Sequence, residues 1–420
     1  MPWPGPCSGW ERMPGCGGGC GRRGLRGRPA FPGPAVPGRP PPPTGPPWPP
    51  AVERGVVRVL FDHSVFSLQE HGGISRYFGE LVAGLVRAEQ VEPRIVAPLH
   101  VSRVLRDGAL PAAGIYMPRI ARTHRLRQLV NNLLSPLLAG DFAPDIVHHT
   151  YYLARMRLPA RCRRVVTVFD MIHERYPGLM APGEEIVARA KRDCVRRADH
   201  VICISRQTRN DLVEILGIAP EKISVVYLAS SLGRGPAEPT PLARRPYLLY
   251  VGERRGPKNF DRLLEAYARS GVTPDVRLVC FGGPPFSAAE RARMRELGCG
   301  PEQVVRLAGD DAELESLYRH ALALVYPSLY EGFGLPLLEA MACDCPVLCS
   351  GVSSMPEIAG SAAWFFDPTR EDDMMQAMEG IVTSTQKREM FIRAGRERVA
   401  LFSWQRCVRE TITVYQQCLQ

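Results

Sequence analysis

Tyr326 to Leu348 reads YPSLYEGFGLPLLEAMACDCPVL. The apolar run ALALVYPS that leads into it, Ala321–Ser328, predicts a buried strand. Gly332 and Gly334 then turn the chain, and LPLLEAMA predicts a helix with Pro336 in its first turn. CPVLCS, Cys345–Ser350, predicts the next strand. Strand, turn, helix and strand in this order make one unit of a parallel sheet. The reading places Glu331 in the loop at the strand's carboxyl end and Glu339 about one turn into the helix. Backbone N–H groups at Phe333, Gly334 and Leu335 open the helix toward the same side, where an anion or a sugar hydroxyl is favoured. Two carboxylates can each accept hydrogen bonds from vicinal hydroxyls, one pair on a sugar and one on a ribose. A single Glu at a helix start needs no ligand to explain it. The spacing, the glycines and the strand–turn–helix context together favour a binding site.

Outward from this string the pattern repeats. YLLYVG, VRLVCFGG, VVRLAG and AAWFFDP predict further strands, with helices beginning near Asn259, Ser287 and Asp311. Upstream, VVRVLFD, PRIVAPL, DIVHHT, RRVVTVFD, HVICIS and ISVVYLA form an earlier series. GGISRYFGELVAGLVRA is an amphipathic helix opened by two glycines, and SRQTRNDLVEILG is one that starts at a Ser cap and stops at a Gly. SLGRGPAEPTPLARRP, Ser231–Pro246, has linker composition. The expected fold class is therefore α/β: two Rossmann-like, doubly wound parallel-sheet domains facing across a cleft. The expected division is a Pro/Gly-rich tail at 1–52, a first domain at 53–235, a linker at 236–246, a second domain at 247–402 and a helical segment at 403–420. Trp404 in that helix reads as a packing anchor.

Other strings carry candidate chemistry. VGERRGPKNF ends a strand at Gly252 and places Arg254 and Lys258 where a diphosphate wants cations, with Arg255 competing for the arginine's role. Gly72 and Gly73 sit between the first strand and its helix, where a turn alone needs only one Gly. This is not G-x-G-x-x-G, and no dinucleotide is implied. His173 follows VVTVFD and is a candidate for a polar catalytic role; His148 and His149 end a strand on the cleft side. FGGPPF, Phe281–Phe286, is placed to wall a base pocket.

The Tyr326–Leu348 string resembles the E-x7-E signature of retaining glycosyltransferases of the GT-B fold, glycosyltransferase family 4. The resemblance spans roughly Val56 to Leu419 and is densest in the second half. It implies that Glu331 contacts the donor sugar, that Glu339 contacts the nucleotide ribose, and that the Lys258–Asn259 loop binds the diphosphate. By the same resemblance to GT-B proteins the first domain is expected on the acceptor side, the second to bind the donor, and the segment at 403–420 to cross back to the first domain. The Gly72–Gly73 turn resembles the Gly-rich loop of the N-terminal domain of these enzymes, which implies that backbone at Gly73 approaches the donor phosphate. It further implies transfer of a hexosyl unit, by likeness to mannosyltransferases from GDP-mannose, onto a glycan or lipid-linked acceptor in surface-polysaccharide synthesis. Many family members have a His just before the Asp of VFD; this chain has Phe169 followed by Asp170. A nucleotide-sugar epimerase and a non-catalytic nucleotide-sugar-binding protein are the rival readings, the second favoured by Phe169.

Composition bounds the rest. The first fifty residues hold 16 of the 40 prolines, too dense for a packed core, so they are expected to be disordered. They lack the continuous apolar segment of a signal peptide. The tail to Gly55 contributes +5 of the net charge of +10, seven Arg against two Glu, so the remainder is only mildly basic and nucleic acid is not an expected partner. Ten cysteines lie beyond the tail, many within apolar runs, as free thiols in a reducing compartment do; the expected location is cytoplasmic. Cys343, Cys345 and Cys349 have no accompanying His, and no Asp-x-Asp element stands where a donor metal would need it. No metal and no cofactor beyond the co-substrate are expected. Ile120–Gly140, with Arg122, Arg125 and Arg127 ahead of an apolar stretch, reads either as an internal helix with a charged start or as a peripheral membrane contact on the cytoplasmic face.

Overall fold

The computed structural model of the protein describes residues 55–106, 108–120, 123–152, 161–180, 183–233 and 245–420. The expected disordered tail and the linker up to residue 244 lie outside the described residues.

Seven strands form the first sheet: β1 Val57–Phe61, β2 Val91–His100, β3 Ala112–Tyr116, β4 Ile146–His149, β5 Arg163–Val168, β6 His200–Cys203 and β7 Ile223–Val225. Six form the second: β8 Tyr247–Val251, β9 Arg277–Phe281, β10 Val304–Leu307, β11 Ala323–Tyr326, β12 Val347–Ser350 and β13 Ala363–Phe366. Every pairing is parallel. The orders are β3-β2-β1-β4-β5-β6-β7 and β10-β9-β8-β11-β12-β13. In both sheets the winding direction reverses between the first and the fourth strand. Open parallel sheets bind ligands at the carboxyl ends beside that reversal. The β1/β4 gap and the β8/β11 gap are thus the two privileged positions.

Both faces of each sheet are buried, which is why its strands read as apolar runs rather than alternating ones. In β8, Tyr247, Leu249 and Val251 share a core with Leu317 and Leu337, while Leu248 and Tyr250 pack on the other side with Phe260, Leu263 and Met374. Local chemistry sets the helix ends. Ser205 accepts from the Thr208 N–H at the start of Arg206–Leu216, and Gly217, at φ +65°, ends it. Ser287 with Glu290 and Asp310 with Glu313 form reciprocal caps.

Strand β3 has no clear signal in the sequence. It is a half-exposed edge strand, and its side chains do not alternate between core and water. Gly114 is what lets it approach β2: a Cβ there would stand 1.8 Å from the Ala97 carbonyl oxygen.

The C-terminal helix Trp404–Cys418 packs against the helix Gly73–Arg87 of the first sheet's layer. The Tyr415 hydroxyl lies 2.7 Å from His148 Nδ1, and Trp404 Nε1 donates to Ser231 Oγ at 3.0 Å. Trp404 is a packing residue, 6% exposed.

Candidate active site

Strand β11 delivers the segment that decides the site. Beyond it, Gly334 takes φ +92° and opens the helix Leu335–Ala342. Glu331 lies in the loop between. Lys258, from the loop after β8, donates to its carboxylate at 2.6 Å. The two switch-point strands of the second sheet therefore bring the lysine and the glutamate together. The ammonium also lies 5.7 Å from the Tyr326 ring centre. Backbone anchors fix the glutamate: Ser353 and Ser354 donate to its carbonyl at 2.7 and 2.9 Å. Lys258 itself is placed by Asn259, which adopts φ +58° and donates through its side chain to the carbonyls of Pro327 and Pro368.

Glu339 is buried at 6% exposure, one turn inside its helix. Tyr318 donates to it at 3.0 Å, and Arg76 of the first domain stands 3.9 Å away. Burial raises its pKa; the Arg76 charge and the Tyr318 hydrogen bond oppose that rise. Arg76 also makes a two-pronged contact with Asp311 at 2.5 and 2.8 Å, so it spans the gap between the domains. Glu331 and Glu339 thus occupy neighbouring stations on one strand–turn–helix unit, the first with Lys258 and the second with Arg76.

Gly332 shows how tightly the first domain meets this loop. A Cβ there would fall 1.7 Å from the Phe169 carbonyl oxygen and 2.9 Å from Asp170 Cβ. Ser205 and Thr208 donate to the Gly332 carbonyl at 2.6 and 3.2 Å. Tyr330 donates to Asp211 at 2.6 Å and accepts from the Met171 N–H at 3.1 Å.

The remaining candidates divide. Gly73 is the first residue of its helix, and a Cβ on it would meet nothing within 4 Å, so open space stands over its backbone. Phe333 is buried and packs on Phe402 at 6.1 Å, so only the backbone from Phe333 to Leu335 is available to a ligand. His173 lies in the short helix Ile172–Arg175, half-buried, with Nδ1 4.0 Å from Asp170 and without a hydrogen-bond partner among the described residues.

Two expectations need correction. Arg254 does not offer its charge to the Lys258 loop. It is buried, pairs with Glu290 at 2.8 Å, donates to the Gly282 and Pro284 carbonyls, and stacks 4.6 Å from the Phe286 ring. A guanidinium so enclosed holds the FGGPPF loop in place and has little freedom to follow a phosphate. His148 does not face the cleft. Strand alternation turns it under the C-terminal helix, where it bonds Tyr415 and Thr167, and burial drives its pKa down to about 3. Phe169 fills the core, edge-on to Tyr77 at 5.4 Å.

Residue models for two families meet end to end on the chain: one described as glycosyltransferase family 4 matches residues 71–234, and one described as glycosyl transferases group 1 matches 234–398. The chain is a group 1 glycosyltransferase. O-antigen chain mannosyltransferase B of Escherichia coli is 29% identical over 372 residues, covering 82% of this chain and 95% of that one. Sucrose-phosphate synthase from Thermosynechococcus elongatus has the same two-domain fold, with TM-score 0.67 and 20% identity over 86% of this chain and 98% of that one. Anabaena Alr3699/HepE in complex with UDP and glucose matches at TM-score 0.64 and 16% identity, covering 85% and 97%. This glycosyltransferase thus has the GT-B architecture expected from its sequence. Among its described residues no helix is long and apolar enough to cross a membrane, and no group of three or more His, Cys, Asp or Glu could hold a metal ion.

Sequence reasoning missed Arg76, Ser353 and Ser354. The signal for the serines was a run of small polar residues after β12. Arg76 had none, because its role depends on the opposite domain.

Proposed function

We propose that this chain is a retaining hexosyltransferase, taking its sugar from a nucleoside diphosphate donor and delivering it to a hydroxyl of a glycan or lipid-linked saccharide in surface-polysaccharide synthesis. The carrying observation is the Lys258–Glu331 contact at the β8/β11 reversal, with Glu339 one helical turn beyond. Lys258 and the N–H groups of Phe333–Leu335 neutralise charge building on the departing diphosphate. Glu331 accepts from the donor sugar's hydroxyls and Glu339 from the ribose. His173 is the polar side chain of the first domain assigned to the reacting sugar. Among the described residues, Glu331 is paired with Lys258 and Asp170 lies 3.6 Å from Lys191, so neither carboxylate is a ready nucleophile for a double displacement. The acceptor oxygen therefore attacks from the face the diphosphate leaves. The C1–O bond to phosphate breaks, the C1–O bond to the acceptor forms, and the acceptor proton passes to a phosphate oxygen. Mannose is the sugar favoured by the Escherichia coli relative's name, and GDP-mannose is the donor implied by the resemblance to mannosyltransferases.

The acceptor's lipid gives a reason for a membrane-facing surface on a cytoplasmic enzyme. The helix His124–Ala139 exposes Leu126, Leu129, Leu133 and Leu137, each at least 57% accessible, beside Ile115 and Ile120. That helix carries no acidic residue, and exposed Arg119 and Arg125 rim the ridge. Apolar side chains edged by cations fit an anionic bilayer surface.

Incubation with GDP-mannose, UDP-glucose and ADP-glucose, with and without acceptor, tests the reading. Slow nucleotide release that rises with acceptor is expected. Glu331→Ala should abolish it while nucleotide binding persists. Release from none of the donors would favour the non-catalytic alternative, and turnover without acceptor would favour an epimerase.

A further inference from the structure

The donor residues stand at the winding reversal of the second sheet, and the first sheet has the same reversal, between β1 and β4. Its carboxyl ends carry Asp62, directly after Phe61, and His149, the last residue of β4. These two side chains meet: His149 Nδ1 lies 2.7 Å from Asp62 Oδ2. The other carboxylate oxygen accepts from the Ser64 N–H at 2.9 Å and the Thr150 hydroxyl at 2.8 Å. Asp62 is fully buried, and although burial alone would raise its pKa, the bond from His149 and nearby positive charge bring it to about 2. It is an acceptor only at any working pH.

That fixes the polarity of the imidazole. With a carboxylate on Nδ1, the neutral ring must carry its proton there, and Nε2 presents a lone pair. Nδ1 is the ring atom that bonds, and the side chain remains 11% exposed at the carboxyl end of β4. The neighbouring strand β5 leads at the same end to Phe169 and Asp170, which touch Gly332 beside Glu331.

We infer that Asp62 and His149 form an acceptor subsite, in which His149 Nε2 accepts a hydrogen bond from a hydroxyl of the acceptor saccharide next to the one that reacts. The role rests on the transferase reading above. His149 is the contacting group and Asp62 the positioning group that sets its tautomer. The reacting hydroxyl still loses its proton to the leaving phosphate, so the balance of the transfer step is unchanged. Phe169 leaves the end of β5 without an imidazole, and the neighbouring strand β4 supplies one in His149.

Histidine-selective 15N spectra of the full chain test this directly, the His149 signal being assigned by its loss in His149→Gln. At a pH where the His149 ring is neutral, the ligand-free protein is expected to show Nε2 unprotonated. Methyl α-mannopyranoside, used as the acceptor probe, should perturb that nitrogen saturably, with no such perturbation in His149→Gln. Asp62→Asn should move the proton to Nε2 and weaken the probe. Should that variant fail to fold, His149→Gln still decides through kinetics. Donor hydrolysis should stay at the wild-type rate, while the acceptor's kcat/KM falls about tenfold, the scale of one hydrogen bond. A protonated Nε2 in the wild type, an unperturbed signal, or hydrolysis and transfer falling together would overturn the inference. A wild-type chain that binds the probe at His149 but no nucleoside diphosphate would instead refute the transferase reading, leaving a saccharide contact at His149 without its acceptor role.

Discussion

Methionine in place of Lys258 removes a cation 2.6 Å from the Glu331 carboxylate while keeping much of the aliphatic stem that lies beside Tyr326. The two side chains are 27% and 12% exposed, so water screens the pair only in part. A hydrogen bond to a charged group contributes about 1.5–3 kcal/mol, and every ~1.4 kcal/mol is a factor of ten in affinity. If Lys258 moves to the diphosphate when the donor enters, Lys258→Met should weaken nucleoside diphosphate binding about 10- to 150-fold. The parent nucleoside, which has no phosphate, should bind as before. Titration calorimetry with GDP, UDP and ADP against their nucleosides measures both. Because Lys258 also neutralises Glu331, the cycle needs Glu331→Gln and the double variant; the loss that persists in the Glu331→Gln background belongs to the phosphate. An unaltered diphosphate affinity, or an equal loss for the nucleoside, would show that Lys258 serves only the glutamate.

Glu339 titrates above the ordinary glutamate range, so donor affinity should fall as the pH drops through that raised value, and Glu339→Gln should flatten the fall; donor KM across pH checks it. The same raised pKa means that this group's contribution to stability is present at low pH and lost as pH rises through the folded value, so Glu339→Gln should not lower Tm at neutral pH. Gly332→Ala drives a methyl into the Phe169 carbonyl and should cost about 1–3 kcal/mol of stability, seen in thermal melts, together with a loss of kcat. Leu129→Glu with Leu133→Glu, both exposed, should leave Tm nearly unchanged and abolish sedimentation with phosphatidylglycerol vesicles; retained binding would separate this helix from the membrane.

What the sequence disclosed and what it withheld divide along one physical line. Strands β8, β11 and β12 announce themselves because both faces are buried, and the helix at Leu335 because Gly334 and Pro336 mark its start within a few residues. Lys258 and Glu331 followed, since each sits in a loop whose position is fixed by the strand before it. Arg254 has the right residue type in the right loop, but its partner Glu290 lies 36 residues away, on the first turn of another helix. His148 and His149 differ only in which face of β4 they occupy, and period-two alternation could have separated them had the buried face been known. The Asp62–His149 pair joins residues 87 apart, and Arg76 joins Asp311 across 235. Local pattern carries no information about such pairs.

The interface gives those distant pairs a common consequence. The loop that holds Glu331 is not finished by its own domain: the Gly332 carbonyl is bound by Ser205 and Thr208, and Tyr330 by Asp211 and the Met171 N–H, all from the first domain. Glu357 of the second domain accepts in turn from the N–H groups of Arg206 and Gln207 at a first-domain helix start, and from the Tyr227 hydroxyl. These contacts cluster on one side of the cleft, while Arg76 bridges to Asp311 and Glu339 elsewhere. Of the two, the first set consists of buried or backbone-directed hydrogen bonds, whereas the Arg76–Asp311 contact is an exposed ion pair of the kind worth about 0–1 kcal/mol. Should the domains separate, the exposed Arg76–Asp311 contact is expected to break before the hydrogen bonds of the Tyr330–Gly332 loop.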